Sequence, residues 1–182
     1  MTVDSLLTLP DDGWRYEVVE GVLVRVAGSG EEATTIAGNI YFALRTFVQP
    51  RRLGVVTPAD GVYKFLGAET GLLPDVGFYV AARRALIVDR TRPIPFAPDL
   101  AVEVASPSQD GDDLAAKARR YLRGGTHLVW VVWAARHEID VWHPDSLERQ
   151  AATLGPDDEL SGEHIVPGFL YPVAGVFADP LA

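Results

Sequence analysis

Apolar and polar residues alternate along two short stretches of the chain, residues 72–80 (LLPDVGFYV) and 98–108 (PDLAVEVASPS). Such alternation predicts β-strands, whose side chains point in turn to opposite faces. One face of each predicted strand is apolar, formed by Val76, Phe78 and Val80 in the first and by Leu100, Val102 and Val104 in the second. The other face carries a single carboxylate, Asp75 or Glu103, beside glycine or alanine neighbours. Small neighbours leave space that a close-packed core would fill, so these faces are candidates for a functional site.

The longest helical pattern covers residues 28–50. Its apolar residues recur every three or four positions, as one face of an α-helix requires: Ile36, Ile40, Leu44 and Phe47. Ser29 is suited to cap the N-terminus of this helix, and Pro50 is suited to end it. Gly38 has two interpretations that the sequence leaves open, a close approach by another element or a weak helix position.

A second helical pattern covers residues 112–125. Its apolar face is formed by Leu114, Ala118, Tyr121 and Leu122. Asp112 is suited to cap the N-terminus of this helix, and Gly124-Gly125 to end it. Lys117 falls at the edge of the apolar face, so we expect its side chain to lie along the sheet rather than in open solvent.

The remaining segments are mostly typical of short strands. Residues 14–26 predict a hairpin with a tight turn at Glu20-Gly21. Further strands are expected near residues 55–57, 62–66, 126–134, 137–144 and 146–154, with a loop or brief helix at 81–98 and an apolar tail at 164–177 that packs down. The strand at 126–134 is so apolar that we expect it at the centre of a sheet, covered on both faces. This order predicts one domain, residues 1–182, of mixed α/β (α+β) class, with one central sheet flanked by helices.

Composition narrows the class of protein. An apolar fraction of 48% and a charged fraction of 23% are ordinary for a globular domain. The sequence has no cysteine, which excludes disulfides and thiolate metal sites and fits a reducing compartment. No apolar run is long enough to cross a bilayer, and the first residues lack the basic and then apolar order of a signal peptide. We therefore expect a cytoplasmic protein with no membrane contact.

The net charge of −9 disfavours nucleic-acid binding unless basic residues are concentrated locally, since phosphate contacts dominate that affinity. Small basic clusters are present at Arg51-Arg52, Arg83-Arg84, Arg90 with Arg92, and Arg119-Arg120 with Arg123. The sequence leaves open whether they share one surface or are separately solvated arginines.

Asp75, Glu103 and Lys117 would form a metal-dependent site if the two acidic strands were neighbours. Adjacent strands lie about 4.8 Å apart, so carboxylates on the same face could both reach one divalent cation. Such a cation would polarise a phosphodiester and acidify a bound water, and Lys117 could orient that water or stabilise charge on the phosphate. In the alternative interpretation Asp75 merely opens a strand, Glu103 faces solvent and the ammonium of Lys117 extends into water.

Five segments of the chain also match a known family: YEVVEGVLV, LLPDV, DLAVEVASPS, DLAAKARRYLRGGTHLVWVV and VPGF. From Tyr16 to about Phe177 the chain resembles the Uma-two family of restriction-endonuclease-like proteins, part of the PD-(D/E)XK nuclease superfamily. Pro74-Asp75 matches the superfamily's PD, and Glu103 matches its next-strand acid. Ala105 stands where the superfamily usually has a lysine, and the Uma-two pattern places that lysine on the following helix, at Lys117.

The resemblance implies a restriction-endonuclease-like fold, a magnesium or manganese cofactor held by Asp75 and Glu103, and a catalytic role for Lys117. It further implies hydrolysis of phosphodiester bonds in nucleic acid, with DNA the expected substrate, and a homodimer. The expected enzyme is a metal-dependent endodeoxyribonuclease.

The chain departs from the family pattern at two polar positions. Ala33 stands where the family often has a histidine, and Gly21-Val22-Leu23 stands where it often has G-E-L. Glu17, Glu20 or Glu32 could supply a further acid near the metal. The alternative function is a catalytically degenerate nuclease fold retained as a binding or assembly module.

Other candidate residues give weaker signals. The histidines, His127, His137, His143 and His164, lack metal-ligand spacing, and we expect structural or surface roles for them. Ser106 and Ser108 have no recognisable histidine partner, which argues against a serine hydrolase, and no glycine-rich phosphate loop is present. Trp130 and Trp133 are expected in the core. Tyr121 is expected to pack, with a role in holding Lys117 as the alternative.

Overall fold

The computed structural model describes residues 1–106, 109–179 and 181. The strands are β1 (Arg15–Val19), β2 (Val22–Val26), β3 (Gly54–Pro58), β4 (Tyr63–Lys64), β5 (Gly71–Leu72), β6 (Val76–Val80), β7 (Leu100–Val104), β8 (Leu128–Trp133), β9 (Glu138–Trp142), β10 (Ala152–Leu154), β11 (Glu159–Ser161) and β12 (Leu170–Pro172). The α-helices are α1 (Glu31–Arg51), α2 (Gly111–Arg123) and α3 (Val173–Val176), and 3₁₀ segments cover Val3–Thr8, Ala81–Leu86 and Ala134–Arg136. No helix in this described part of the chain is both long enough and apolar enough to span a membrane.

The largest sheet is mixed and has the strand order β10-β9-β8-β7-β6-β3. The β7–β8 pair is parallel and is joined through α2, as a parallel connection requires, while the other pairs are antiparallel. The predicted mixed α+β class, with a central sheet flanked by helices, is confirmed. The strand predicted at 126–134 is indeed central, because β8 lies third from one edge and its Trp130 is fully buried.

The two faces of the large sheet carry separate cores. The face covered by α1 contains the apolar residues predicted for the two acidic strands, including Val76, Phe78 and Val102. The opposite face, covered by α2, contains Ala101 and Tyr121. The alternation seen in the sequence therefore gives the correct faces for β6 and β7.

The expectation of one sheet was incomplete, because the hairpin of β1 and β2 belongs to a second sheet with the order β2-β1-β5-β4. The turn of this hairpin is at Glu20 and Gly21, whose φ values of 51° and 79° suit the tight turn that was predicted. Strands β11 and β12 form a third, two-stranded sheet. The apolar tail at 164–177 packs down as expected, with Val166 and Val176 fully buried.

Residues 72–80 do not form one strand, as the alternation predicts, but two. The chain leaves the small sheet after Leu72 and enters the large sheet at Val76. Pro74 lies in the gap, and its missing N–H prevents it from donating to a ladder. Asp75 consequently lies at the crossing from one sheet to the other, immediately before β6.

The helix ends differ from the sequence prediction by one or two residues. The N-cap of α2 is Asp110, whose side chain accepts a hydrogen bond from the N–H of Asp112 at 3.2 Å, so Asp112 is not itself the cap. The N-cap of α1 is Gly30 rather than Ser29. Pro50 lies inside the last turn of α1, and the helix ends when Arg52 adopts a left-handed conformation with φ of 54°.

The structure also decides between the two interpretations of Gly38 and shows the extent of the edge strand predicted at 146–154. A Cβ added at Gly38 would meet nothing within 4 Å, so this glycine is a weak helix position and not a close contact. The edge strand predicted at 146–154 is confined to β10. Pro107 and Ser108, which belong to the predicted loop and to the E-x-x-S-P-S segment, lie outside the described residues.

Candidate active site

Asp75 and Glu103 lie on neighbouring strands and on the same face of the large sheet. The β6–β7 register ends at the pair Val76 and Val102, and Asp75 and Glu103 are the next residues beyond this pair on the two strands. The N–H of Asp75 donates to the carbonyl of Val102 at 3.0 Å, which ties this residue to β7. The two carboxylates line one small cleft of about 50 Å³, which we call the acidic cleft.

The backbone of β7 fixes the orientation of Asp75. Its Oδ2 accepts a hydrogen bond from the N–H of Val104 at 2.8 Å. Its Oδ1 has no donor among the described residues. One oxygen of this carboxylate is therefore held by the sheet, and the other is available to a ligand in the acidic cleft.

Lys117 reaches the acidic cleft from α2, as its place at the edge of the apolar face predicted. Its Nζ lies 3.0 Å from Oε2 of Glu103 and 3.0 Å from Oε1 of Glu17. The Lys117 side chain is 14% exposed and that of Glu103 is 6% exposed. The alternative interpretation, with Glu103 facing solvent and Lys117 extending into water, is wrong.

Glu17 is a fourth charged member of the cluster. The sequence alone indicated it only as one of three candidates for a further acid near the metal. It lies on β1 of the small sheet, is 5% exposed, and its Oε1 also accepts a hydrogen bond from the N–H of Leu73 at 2.8 Å. Glu20 is exposed at the hairpin turn, and Glu32 is exposed in the first turn of α1. Neither of these two residues lines the acidic cleft.

Tyr121 holds Glu103 rather than Lys117. Its hydroxyl donates to Oε1 of Glu103 at 2.7 Å, while Oε2 of the same carboxylate accepts from Lys117. Tyr121 is fully buried and also packs against Phe65, with ring centroids 5.8 Å apart. The packing role expected for Tyr121 is thus combined with a hydrogen bond that fixes the acid of the cluster.

Burial sets the electrostatics of the cluster. It raises the pKa of Glu103 to about 7, against the attraction of Lys117, and the nearby charges of Asp75 and Glu17 raise it further. Burial also raises the pKa of Asp75, while the N–H of Val104 and the charge of Lys117 oppose that rise. Burial disfavours the charged form of Lys117, but its carboxylate partners outweigh this effect and hold its pKa above the ordinary value. The cluster therefore contains more negative charge than one ammonium can compensate.

The donor set fits a hard divalent cation. Glu17, Asp75 and Glu103 against the ammonium of Lys117 and the guanidinium of Arg15, which also lines the cleft and acts on Asp75, give a net charge of −1 when all are ionised. Part of the Arg15 charge is engaged by Asp60, whose Oδ1 lies 2.9 Å from it. Magnesium binds oxygen ligands and commonly uses one or two carboxylates together with waters. The described residues contain no group of three or more histidine, aspartate or glutamate side chains placed to hold a metal ion. Asp75 and Glu103, which line the cleft together, are the two carboxylates that could contact an ion there. The cleft volume of about 50 Å³ has room for an ion with a few waters.

The other candidate residues lie elsewhere. His137 stacks on Phe177 with centroids 4.8 Å apart, and Nε2 of His143 lies 2.9 Å from Oε1 of Glu163. Trp130 is in the core, as expected. Trp133 differs from the expectation, because it is only partly buried and borders two hollows in the surface.

The structure thus combines a mixed sheet flanked by helices with two acids close to the junction of the adjacent strands β6 and β7. Residues 3–174 match the Uma2 family, described as "Putative restriction endonuclease", and the chain belongs to this family. The fold is similar to the crystal structure of a putative nuclease belonging to DUF820 from Anabaena variabilis ATCC 29413, with a TM-score of 0.78 and 19% sequence identity over 97% of each chain. At that identity the likeness concerns the fold. No curated protein matches the chain.

Proposed function

We propose that this protein is a divalent-metal-dependent endonuclease that hydrolyses phosphodiester bonds in nucleic acid, most directly DNA. The observation that carries the proposal is the convergence of Asp75, Glu103 and Lys117 on one buried cleft with an excess of negative charge. A structural ion pair needs one carboxylate for one ammonium. The carboxylate charge that Lys117 and Arg15 leave unbalanced is accounted for if a doubly charged ion completes the site.

Asp75 and Glu103 would hold magnesium or manganese in the acidic cleft. The bound ion would supply Lewis acidity toward a phosphate oxygen and acidify a water molecule. The protein's own groups position the carboxylates: the N–H of Val104 orients Asp75, and the hydroxyl of Tyr121 orients Glu103. The ammonium of Lys117, held by Glu17 at 3.0 Å, would stabilise negative charge on the phosphate.

The experiment is a cleavage assay on purified protein with supercoiled plasmid and with single-stranded DNA, in magnesium and in manganese. Asp75→Asn and Glu103→Gln each keep the side-chain shape and remove one ligand charge, and each should abolish cleavage. The control is Asp145→Asn, which changes an exposed carboxylate outside the acidic cleft and should leave cleavage unchanged. Cleavage that survives both cleft substitutions would show that another site, or a contaminant, is responsible.

A second candidate is a nuclease fold retained for binding or assembly. Two observations favour this second candidate. The ammonium of Lys117 already engages two of the carboxylates, and a buried Ala33 stands where the family often has a histidine. In that case calorimetry should detect no binding of magnesium or manganese up to millimolar concentrations, for the unchanged protein and for Asp75→Asn alike. The homodimer implied by the family is tested separately by sedimentation equilibrium.

A further inference from the structure

Three hollows run across the C-terminal ends of the parallel strands β7 and β8, where side chains of adjacent strands converge. The acidic cleft shares Ser106 and Gln109 with a middle hollow of about 260 Å³. The middle hollow shares Trp133 and Arg136 with a far cavity of about 450 Å³ between α2 and the edge formed by β8, β9 and β10. The three hollows adjoin one another at these shared residues, and together we call them the Trp133 groove.

The far cavity combines cationic, anionic and aromatic side chains. Its arginines are Arg119, Arg136 and Arg149, its carboxylates are Asp112, Glu138, Asp140 and Glu148, and its indoles are Trp133 and Trp142. The four carboxylates outnumber the three arginines by one, so the far cavity does not favour a bare phosphate chain. The edge of a nucleobase, by contrast, offers both acceptors for arginine and amino donors for carboxylates. The volume of about 450 Å³ is within the range of sites that hold small ligands of nucleotide size.

Trp133 and Arg136 form a platform on which a base can stack. The guanidinium carbon of Arg136 lies 4.3 Å from the centroid of the Trp133 ring, and the Arg136 side chain is 54% exposed. The indole is held in place because its Nε1 donates to Oδ2 of Asp140 at 2.7 Å, and Asp140 in turn accepts from Thr153 at 2.6 Å. Bases stack on aromatic rings and on guanidinium planes in proteins that bind single strands.

We propose that the Trp133 groove binds an unpaired stretch of nucleic acid next to the bond to be cleaved, with one base in the far cavity. This inference rests on the proposed nuclease function, and it names a substrate class: nucleic acid with a single-stranded segment at the cleavage site. In duplex DNA the bases are paired and stacked, and turning one out costs roughly a few kcal/mol, whereas an unpaired strand presents its bases directly to a stacking platform.

The test measures binding by fluorescence anisotropy, using the full chain in EDTA and a labelled short oligonucleotide either single-stranded or annealed to its complement. We expect the single strand to bind roughly 10-fold more tightly than the duplex, since stacking of one or two bases accounts for about that factor. The double variant Arg136→Gln with Arg149→Gln changes two exposed arginines of the far cavity and should weaken single-strand binding by roughly 10-fold. The matched control, Arg90→Gln with Arg123→Gln, changes two exposed arginines outside the groove and should change binding less than about 2-fold.

Equal affinity for the two forms of DNA would overturn the inference, and so would a double variant that behaves as its control does. Urea denaturation of each variant shows whether folding is intact. Single-strand binding with this pattern of variants, but no cleavage in magnesium or manganese, would refute the nuclease function and leave the groove assignment standing. Cleavage of duplex without single-strand binding would do the reverse.

Discussion

Replacing Lys117 by methionine removes the ammonium that lies between Glu17 and Glu103 and keeps the length of the apolar stem. Each contact of Nζ at 3.0 Å is worth about 5 kcal/mol of attraction at the effective dielectric of a protein, before the cost of desolvation. Removing one partner of a buried ion pair costs about 3–5 kcal/mol, because the other charge is left uncompensated. We therefore expect Lys117→Met to lower the free energy of unfolding by that amount at pH 8.

The sequence supplies a matched control, since its other lysine is Lys64. Nζ of Lys64 lies 3.2 Å from Oδ2 of Asp4, and these side chains are 32% and 46% exposed. An ion pair this exposed is screened by solvent and contributes about 0–1 kcal/mol. Lys64→Met should accordingly have little effect on the free energy of unfolding.

The effect of Lys117→Met should depend on pH and on divalent metal. The uncompensated charge resides on carboxylates, chiefly Glu103, which can take up a proton as the pH falls. The pKa of Glu103 is about 7 beside Lys117, and it rises further when the ammonium that opposes its rise is removed. The penalty should therefore be largest at pH 8 and smaller at pH 5, and millimolar magnesium should reduce it at pH 8. Urea denaturation followed by the fluorescence of the four tryptophans measures each value. A penalty below about 1 kcal/mol, or one equal at both pH values, would refute the buried-charge reasoning.

Three further predictions concern single substitutions. The pKa of Glu103 is about 7 in the folded protein and 4.5 in an unperturbed glutamate, so the free energy of unfolding without metal should fall as the pH rises between these values and then level off. Glu103→Gln should remove this fall and should be up to about 3 kcal/mol more stable than the unchanged protein at pH 8 in urea denaturation. A variant that is less stable at pH 8 would contradict this direction. Tyr121→Phe removes the hydroxyl donor to Glu103 and should raise the pKa of this acid further. The acidic limb of the cleavage pH profile should then move to higher pH, and an unchanged profile would exclude this role. Gly38→Ala should raise the free energy of unfolding by about 1 kcal/mol, because the added Cβ enters open space. Gly77→Ala should lower the free energy of unfolding by about 1–3 kcal/mol, because the added Cβ would lie 2.5 Å from the hydroxyl of Tyr63. Equal shifts in the two variants would refute the packing argument.

The sequence was sufficient to predict the faces of β6 and β7 and the inward direction of Lys117. Both follow from local periodicity, which the pleat of a strand and the turn of a helix impose directly. The PD and E-x-x-S-P-S segments then gave the order of the acidic elements. The fold class followed from the order of strands and helices, since a parallel pair such as β7 and β8 needs an intervening helix.

The part played by Glu17 could not be predicted, because it depends on a contact between two sheets. Glu17 and Lys117 are 100 positions apart in the sequence, and no local pattern distinguishes Glu17 from Glu20 on the same hairpin. The break at Pro74 was missed for a related reason. The alternation of residues 72–80 continues across the proline although the hydrogen-bond partners change from one sheet to the other.

The crossing at residues 73–75 has a consequence for the order of events as the newly synthesised chain folds. Of the groups that surround the ammonium of Lys117, one comes from the hairpin sheet and the other from the large sheet, and the connecting segment is pinned to the hairpin by the bond from Leu73 to Glu17. A half-folded chain with undocked sheets lacks Glu17 beside the ammonium of Lys117, so its charge cluster is incomplete even where β7 already holds Asp75. Under the proposed function, cleavage would therefore begin only once the two sheets have docked.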